Sequence, residues 1–174
     1  MFMFIQATQL IGQAVGAEDI EARVGQIERL IINPTNGQLI ACAVKTGGWF
    51  GKVLYLSPID IRTLTKEFVI IRKINQLSPV EDLIRLKNIL QNRVPILGQK
   101  ARTQSGTNLG QIVDLLFETD SWLIAKYYVR QFLSERILPA DTVQSITHQA
   151  VIFFDRVGQQ TNQILGESEP SIST

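Results

Sequence analysis

Hydrophobic positions along this chain fall into short runs, each broken after a few residues by Gly, Pro, Asn or Asp. Residues 24–32 and 39–44 are aliphatic and β-branched, and Asn33-Pro34-Thr35-Asn36-Gly37 lies between them. That spacing predicts two strands joined by a hairpin, with Asn-Gly supplying the positive φ of a tight turn. Residues 68–72 and 151–154 predict one further strand each. In between the period changes. Ser78-Pro79-Val80-Glu81 reads as an N-cap, a first-turn proline and a capping-box acid. Val80, Leu83, Ile84, Leu86, Ile89 and Leu90 follow at helical spacing, and the helix should stop before Pro95. Its apolar stripe needs a partner, so it is expected to pack on one or both β units.

The strand pattern occurs twice. Leu10-Ile11-Gly12-Gln13 recurs as Ile96-Leu97-Gly98-Gln99, and Val24-Gly25-Gln26-Ile27 as Leu109-Gly110-Gln111-Ile112. Leu39-Ile40-Ala41 aligns with Leu123-Ile124-Ala125, Ser57-Pro58-Ile59-Asp60 with Leu138-Pro139-Ala140-Asp141, and 68–71 with 150–153. The order is kept while the offset drifts from 86 to 81 or 82, as in an internal duplication with small loop deletions. In the second copy Glu118-Thr119-Asp120-Ser121 takes the turn. Gly25 and Gly110 sit early in a strand, where glycine marks a bulge or a corner. Pro58 and Pro139 lie where a missing N–H does least damage. Strands this short bury little in an open sheet, and closing into a barrel removes the edges. The expected fold is therefore mainly β, two small barrels in tandem: 6–77, a linker helix at 78–93, and 94–157. The polar tail 158–174, with Gly158 its last ordered position, is expected to be disordered.

The copies resemble the PRC-barrel family, the small β-barrel of the photosynthetic reaction-centre H subunit and of the ribosome maturation factors. Three stretches carry the likeness: 10–15, 24–30, and Gly47-Gly48-Trp49-Phe50-Gly51 leading to Leu56-Ser57-Pro58. The second copy keeps the first two and departs at the third, where 130–135 has no glycine. The resemblance covers about 6–77 and 94–157. It implies a binding or assembly module acting on a protein partner, at a membrane-associated complex of the photosynthetic kind. The ribosome-linked branch implies the alternative, an RNA- or ribosome-linked maturation factor. The family has no shared active site to carry over.

Composition narrows this reading. Of 174 residues 45% are hydrophobic, and mean hydropathy is +0.10. No apolar run approaches the roughly 20 residues of a membrane-spanning helix. The N-terminus lacks a basic region and a full apolar core, so no signal peptide is read there, and a cytoplasmic location is expected. Peripheral membrane association stays open. Net charge is +1, spread as +2, +1, 0 and −2 over 1–77, 78–93, 94–158 and 159–174. A nucleic-acid binder is expected to carry a basic stripe, and the sequence has none. Cys42, the only cysteine, sits in an apolar run and reads as a buried, inert thiol.

Reactive groups do not gather. His148 is the only histidine and has no acid or second histidine at ligand spacing. Asp60 and Asp141 are paired by the repeat, and short acids beside proline cap turns. Gly12, Gly25, Gly47, Gly48 and Gly51 form no phosphate loop. No enzyme activity, metal or cofactor is expected. The segment most informative for binding is Gly47, Gly48, Trp49, Phe50 and Gly51. Its aromatics either cap a barrel mouth or pack on the helix, or they anchor a partner. The second copy keeps the bulk as Phe132-Leu133 without the glycine hinges, which favours packing.

Overall fold

A computed structural model describes residues 3–47, 51–82, 84–91 and 94–158. In chain order the elements are β1 (Phe4–Gln6), α1 (Ala7–Leu10), β2 (Ala14–Ala17), β3 (Ala22–Asn33), β4 (Gln38–Thr46), β5 (Val53–Leu56), β6 (Ile61–Leu64), β7 (Phe68–Ile71) and β8 (Leu77–Ser78). Then come α2 (Ile84–Gln91), β9 (Lys100–Thr103), β10 (Asn108–Glu118), β11 (Ile124–Gln131), β12 (Ser134–Pro139), β13 (Val143–Ile146) and β14 (Ala150–Phe153).

The strands form two sheets of the same order. One runs β6-β7-β2-β3-β4-β5-β8, the other β13-β14-β9-β10-β11-β12. Each curls about its core as a half-barrel, and among the described residues no pairing joins the two end strands of a sheet. Each sheet has one parallel pairing at the matching place: β7 with β2, β14 with β9.

The match extends to irregularities. β3 and β10 each bulge against their hairpin partner, between Ile27 and Arg29 and between Ile112 and Asp114. A second register shift follows in each, at Ile31/Ile32 and at Leu116/Phe117. The repeated Gly-Gln pairs do the same work twice. Gly12 N donates to Ile27 O at 2.7 Å and Gly98 N to Ile112 O at 2.8 Å. Gln13 Nε2 donates to Thr65 O at 2.9 Å and Gln99 Nε2 to Thr147 O at 2.7 Å, tying each last hairpin to the sheet. Both glycines have φ near +90°, at +95° and +80°, a region that side chains avoid.

These pairs fix the alignment of the halves, and one expectation is corrected. Ile32 pairs with Leu39 and Phe117 with Ile124, so Leu39 corresponds to Ile124 and not to Leu123. Both side chains point into the core, and a one-residue slip would turn them outward. The β3–β4 turn also differs from a two-residue Asn-Gly turn. It spans 34–37, and only Gly37, φ +72°, is left-handed. Gly37 N donates to Asn33 O at 2.8 Å, and Trp122 N to Glu118 O at 2.7 Å in the second turn.

The sheets meet at these turns through reciprocal bonds between equivalent positions. Leu39 N donates to Trp122 O at 2.8 Å, and Ile124 N to Gly37 O at 3.0 Å. Contacts of this reciprocal kind define an approximate two-fold relation. One core runs through both sheets, from Leu10, Val15, Ile27, Val44 and Leu56 to Ile112, Leu115, Phe117, Val129 and Phe153.

The connection is more broken than its sequence suggests. Ser78 is the end of β8, its backbone paired with Tyr55, and does not cap a helix. A 3-10 turn at Val80–Asp82 precedes α2, which is shorter than 78–93. The helix packs as its stripe requires: Leu86 is buried against Ile31, Ala41, Ala43 and Tyr55 on the outer face of the first sheet. Val157 is buried in the core and Gly158 is half-buried against Thr103. The expectation for 159–174 lies outside the described residues.

Candidate functional site

β4 starts at the junction of the two sheets and ends at Thr46, so the loop that follows sits at the far end of the first sheet. Its base is pinned: Thr46 N and Oγ1 both donate to Lys52 O, at 2.9 and 3.0 Å. Gly47 is exposed with φ +53°. Gly51 returns so close that a Cβ there would overlap the Thr46 carbonyl oxygen. Gly48, Trp49 and Phe50, the centre of the predicted segment, lie outside the described residues.

The matching tip of the second sheet departs from the packing that its sequence favoured. β11 and β12 pair from Lys126 opposite Pro139 out to Gln131 opposite Ser134, leaving a two-residue turn. An Arg130–Glu135 ion pair at 2.8 Å sits just behind it. The turn residues do not pack. Phe132 is 93% exposed and Leu133 104%. Phe132 also has φ +53°, while Leu133 does not have positive φ, the pattern of a II′ turn whose first central residue is normally glycine. A bulky side chain held there costs about 1–2 kcal/mol. Two large apolar groups thus stand in solvent on a paired ladder, one of them in a strained backbone. The signal in the sequence was two adjacent apolar residues between polar ones, with no helical or alternating partner.

The remaining candidates have local structural roles. Asp60 lies in a 3-10 turn at Pro58–Asp60 and accepts a hydrogen bond from Gln76 Nε2 at 3.1 Å. Asp141 lies in the equivalent turn at Ala140–Thr142 and is exposed. His148 is exposed in the β13–β14 turn. No group of three or more potential metal ligands occurs among the described residues. Cys42 is buried in the shared core, and desolvation pushes its thiol up to about 12. No helix of the described residues is long and apolar enough to cross a membrane.

A buried polar clasp also escaped the sequence reading. Asp114, 8% exposed, accepts from Leu115 N at 2.8 Å, Thr8 N at 3.1 Å and Thr8 Oγ1 at 2.5 Å. It ties α1, at the start of the chain, to the second sheet. Its signal was a lone acid inside an aliphatic strand, Ile112-Val113-Asp114-Leu115-Leu116.

Compared with known proteins, residues 3–84 match the family model described as PRC-barrel domain. No curated protein matches the chain significantly.

Proposed function

We propose that this chain, a PRC-barrel protein over residues 3–84, is a non-catalytic binding and assembly module that holds a protein partner through an apolar loop tip. The observation that carries the reading is the Phe132–Leu133 turn, solvated, apolar and strained on a paired ladder. Such side chains gain their burial only when a partner covers them, and aromatic tips of this kind dominate binding energy where they occur. The non-catalytic part is supported by the settings of Asp60, which is tied to Gln76, and of His148, which stands exposed on a turn. The partner belongs to an assembly, of which a membrane-associated complex is the form the family resemblance favours. The second sheet, with its matching strand order, acts as a second unit of the same kind; for the first, the binding segment expected from the sequence is Gly47, Gly48, Trp49, Phe50 and Gly51.

The test is affinity purification of the tagged full chain from its native cell, with and without Phe132→Ser and Leu133→Ser together. Loss of a stoichiometric partner, with the melting temperature unchanged, is the expected result. Retention of every partner by the double variant ends the proposal for this tip.

A further inference from the structure

The outward faces of the two sheets diverge at their parallel strand pair. Ala14 stands opposite Phe68 and Gly16 opposite Ile70 on the first sheet; Lys100 stands opposite Ala150 and Arg102 opposite Ile152 on the second. The carbonyls of Thr65 and Thr147, which accept from Gln13 and Gln99, extend the correspondence to Glu67 and Gln149. The differences run one way. Lys100 and Arg102 stand where the first sheet has Ala14 and Gly16, Ala150 where it has Phe68, and Gln149 where it has Glu67. Cations are added, an acid is removed and bulk is withdrawn. The first sheet's groove at this place is lined by Ala14, Gly16, Phe68 and Ile70, with Glu18 and Glu21.

The second sheet has a groove of about 520 Å³, lined by Gln99, Lys100, Arg102, Gln111, Gln149 and Ile152 among others, none of them acidic. β9 alternates: Ala101 and Thr103 are buried, so Lys100 and Arg102 share the outward face. Two residues along a strand is about 7 Å, close enough for both side chains to meet one anion. Neither makes an ion pair among the described residues. Gln26 Nε2 donates to Gly12 O at 2.6 Å, whereas its counterpart Gln111 makes no side-chain hydrogen bond among the described residues. One wall is held in place. Gln99 Nε2 donates to Thr147 O at 2.7 Å, and Thr147 Oγ1 accepts from Gln149 N and Ala150 N at 3.3 and 3.1 Å. The elements that bound the groove lie within residues 94–158, all of which are described.

We propose that this groove binds a phosphate monoester, with its phosphoryl group between Lys100 and Arg102 and the carboxamides of Gln111 and Gln149 donating to its oxygens. The guanidinium fork suits two oxygens of such a group and the mobile ammonium a third. Ala150 and Ile152 offer an apolar wall to the esterified group. A small soluble ester and a lipid headgroup present the same chemistry here. The site is separate from the Phe132–Leu133 tip and does not depend on it.

The test is titration of glycerol 3-phosphate into the isotope-labelled full chain, read by NMR. Saturable shifts of the 98–102 and 147–150 amides, with a Kd of about 1 mM or below, are expected. Lys100→Ala and Arg102→Ala should each weaken binding about tenfold, and Lys126→Ala, an exposed cation on β11, should leave it unchanged. Phosphatidylcholine vesicles with and without phosphatidic acid separate the two sources. Co-sedimentation that needs phosphatidic acid and is lost in Lys100→Ala/Arg102→Ala marks a lipid headgroup; binding of glycerol 3-phosphate alone marks a soluble ester. The Phe132→Ser/Leu133→Ser chain should bind glycerol 3-phosphate unchanged, so this outcome and that of the tip are read separately. No saturation by about 10 mM overturns the proposal, as do equal shifts from sodium chloride at matched ionic strength. So does a tenfold gain of affinity in Glu167→Gln/Glu169→Gln, which would make the chain's own acidic residues the anion at this site.

Discussion

Single residues carry the repeated geometry. A Cβ at Gly25 would stand 2.5 Å from Lys45 O, and one at Gly110, φ +120°, would overlap Arg130 O. Gly25→Ala should cost about 1–2 kcal/mol and Gly110→Ala about 2 kcal/mol or more, measured by urea unfolding. Both glycines were legible as bulge positions, because a glycine early in a β-rich run has few other reasons to be there. Asp114→Ala should cost about 2–3 kcal/mol, since it leaves Thr8 N and Leu115 N without their acceptor. That role was not legible, because the partner Thr8 lies 106 residues away. Cys42 was read correctly as buried, and burial gives it a pH signature. The folded chain holds the thiol protonated, at about 12 against an ordinary 9.0. Its contribution to stability is whole below pH 9 and is lost as pH rises from 9 toward 12, at up to about 1.4 kcal/mol per unit. Tyr127, also raised by burial, acts in the same direction above pH 10. Urea unfolding across pH 8–11 should show this decline, and Cys42→Ala should remove the part that begins at pH 9, leaving that of Tyr127 above pH 10.

At the scale of elements, strands were more legible than their ends and partners. β3, β4, β7 and β14 stand within two residues of the runs that predicted them. The helix was misjudged at its start because Ser78, a good cap by type, is engaged in the ladder with Tyr55. β1 was not foreseen, since three residues carry no period and its partner β10 is remote. The β11–β12 tip was expected to pack, because apolar bulk without hinges usually does, yet nothing in a local run says whether a neighbour will arrive to cover it. If the tip is free, Phe132→Gly relieves the left-handed strain and should raise stability by roughly 0.5 kcal/mol in urea unfolding. A loss of 2 kcal/mol or more, the cost of deleting a packed aromatic, would mean that Phe132 is covered.

On the scale of the whole molecule, the two sheets share one core and are joined by β1, by the reciprocal bonds at the turns, and by the Asp114 clasp. Heat should therefore unfold the chain in one transition, with calorimetric and van't Hoff enthalpies equal; two separated transitions would show that the sheets are energetically independent. The recurring glycine, glutamine and aliphatic positions were readable in the sequence, and the two sheets place them at matching bulges and corners. The way the sheets dock was not, because it rests on backbone bonds that any residue could supply. What differs between the sheets is what faces outward, and the most direct measurement concerns the most exposed of these features. A photo-crosslinking phenylalanine analogue is placed at position 132 in the full chain, in its native cell, with position 59, an exposed isoleucine away from the tip, as control. A binding role for the tip requires a light-dependent adduct of defined mass from position 132 and none from position 59. No adduct from 132, or the same pattern from both positions, would contradict it.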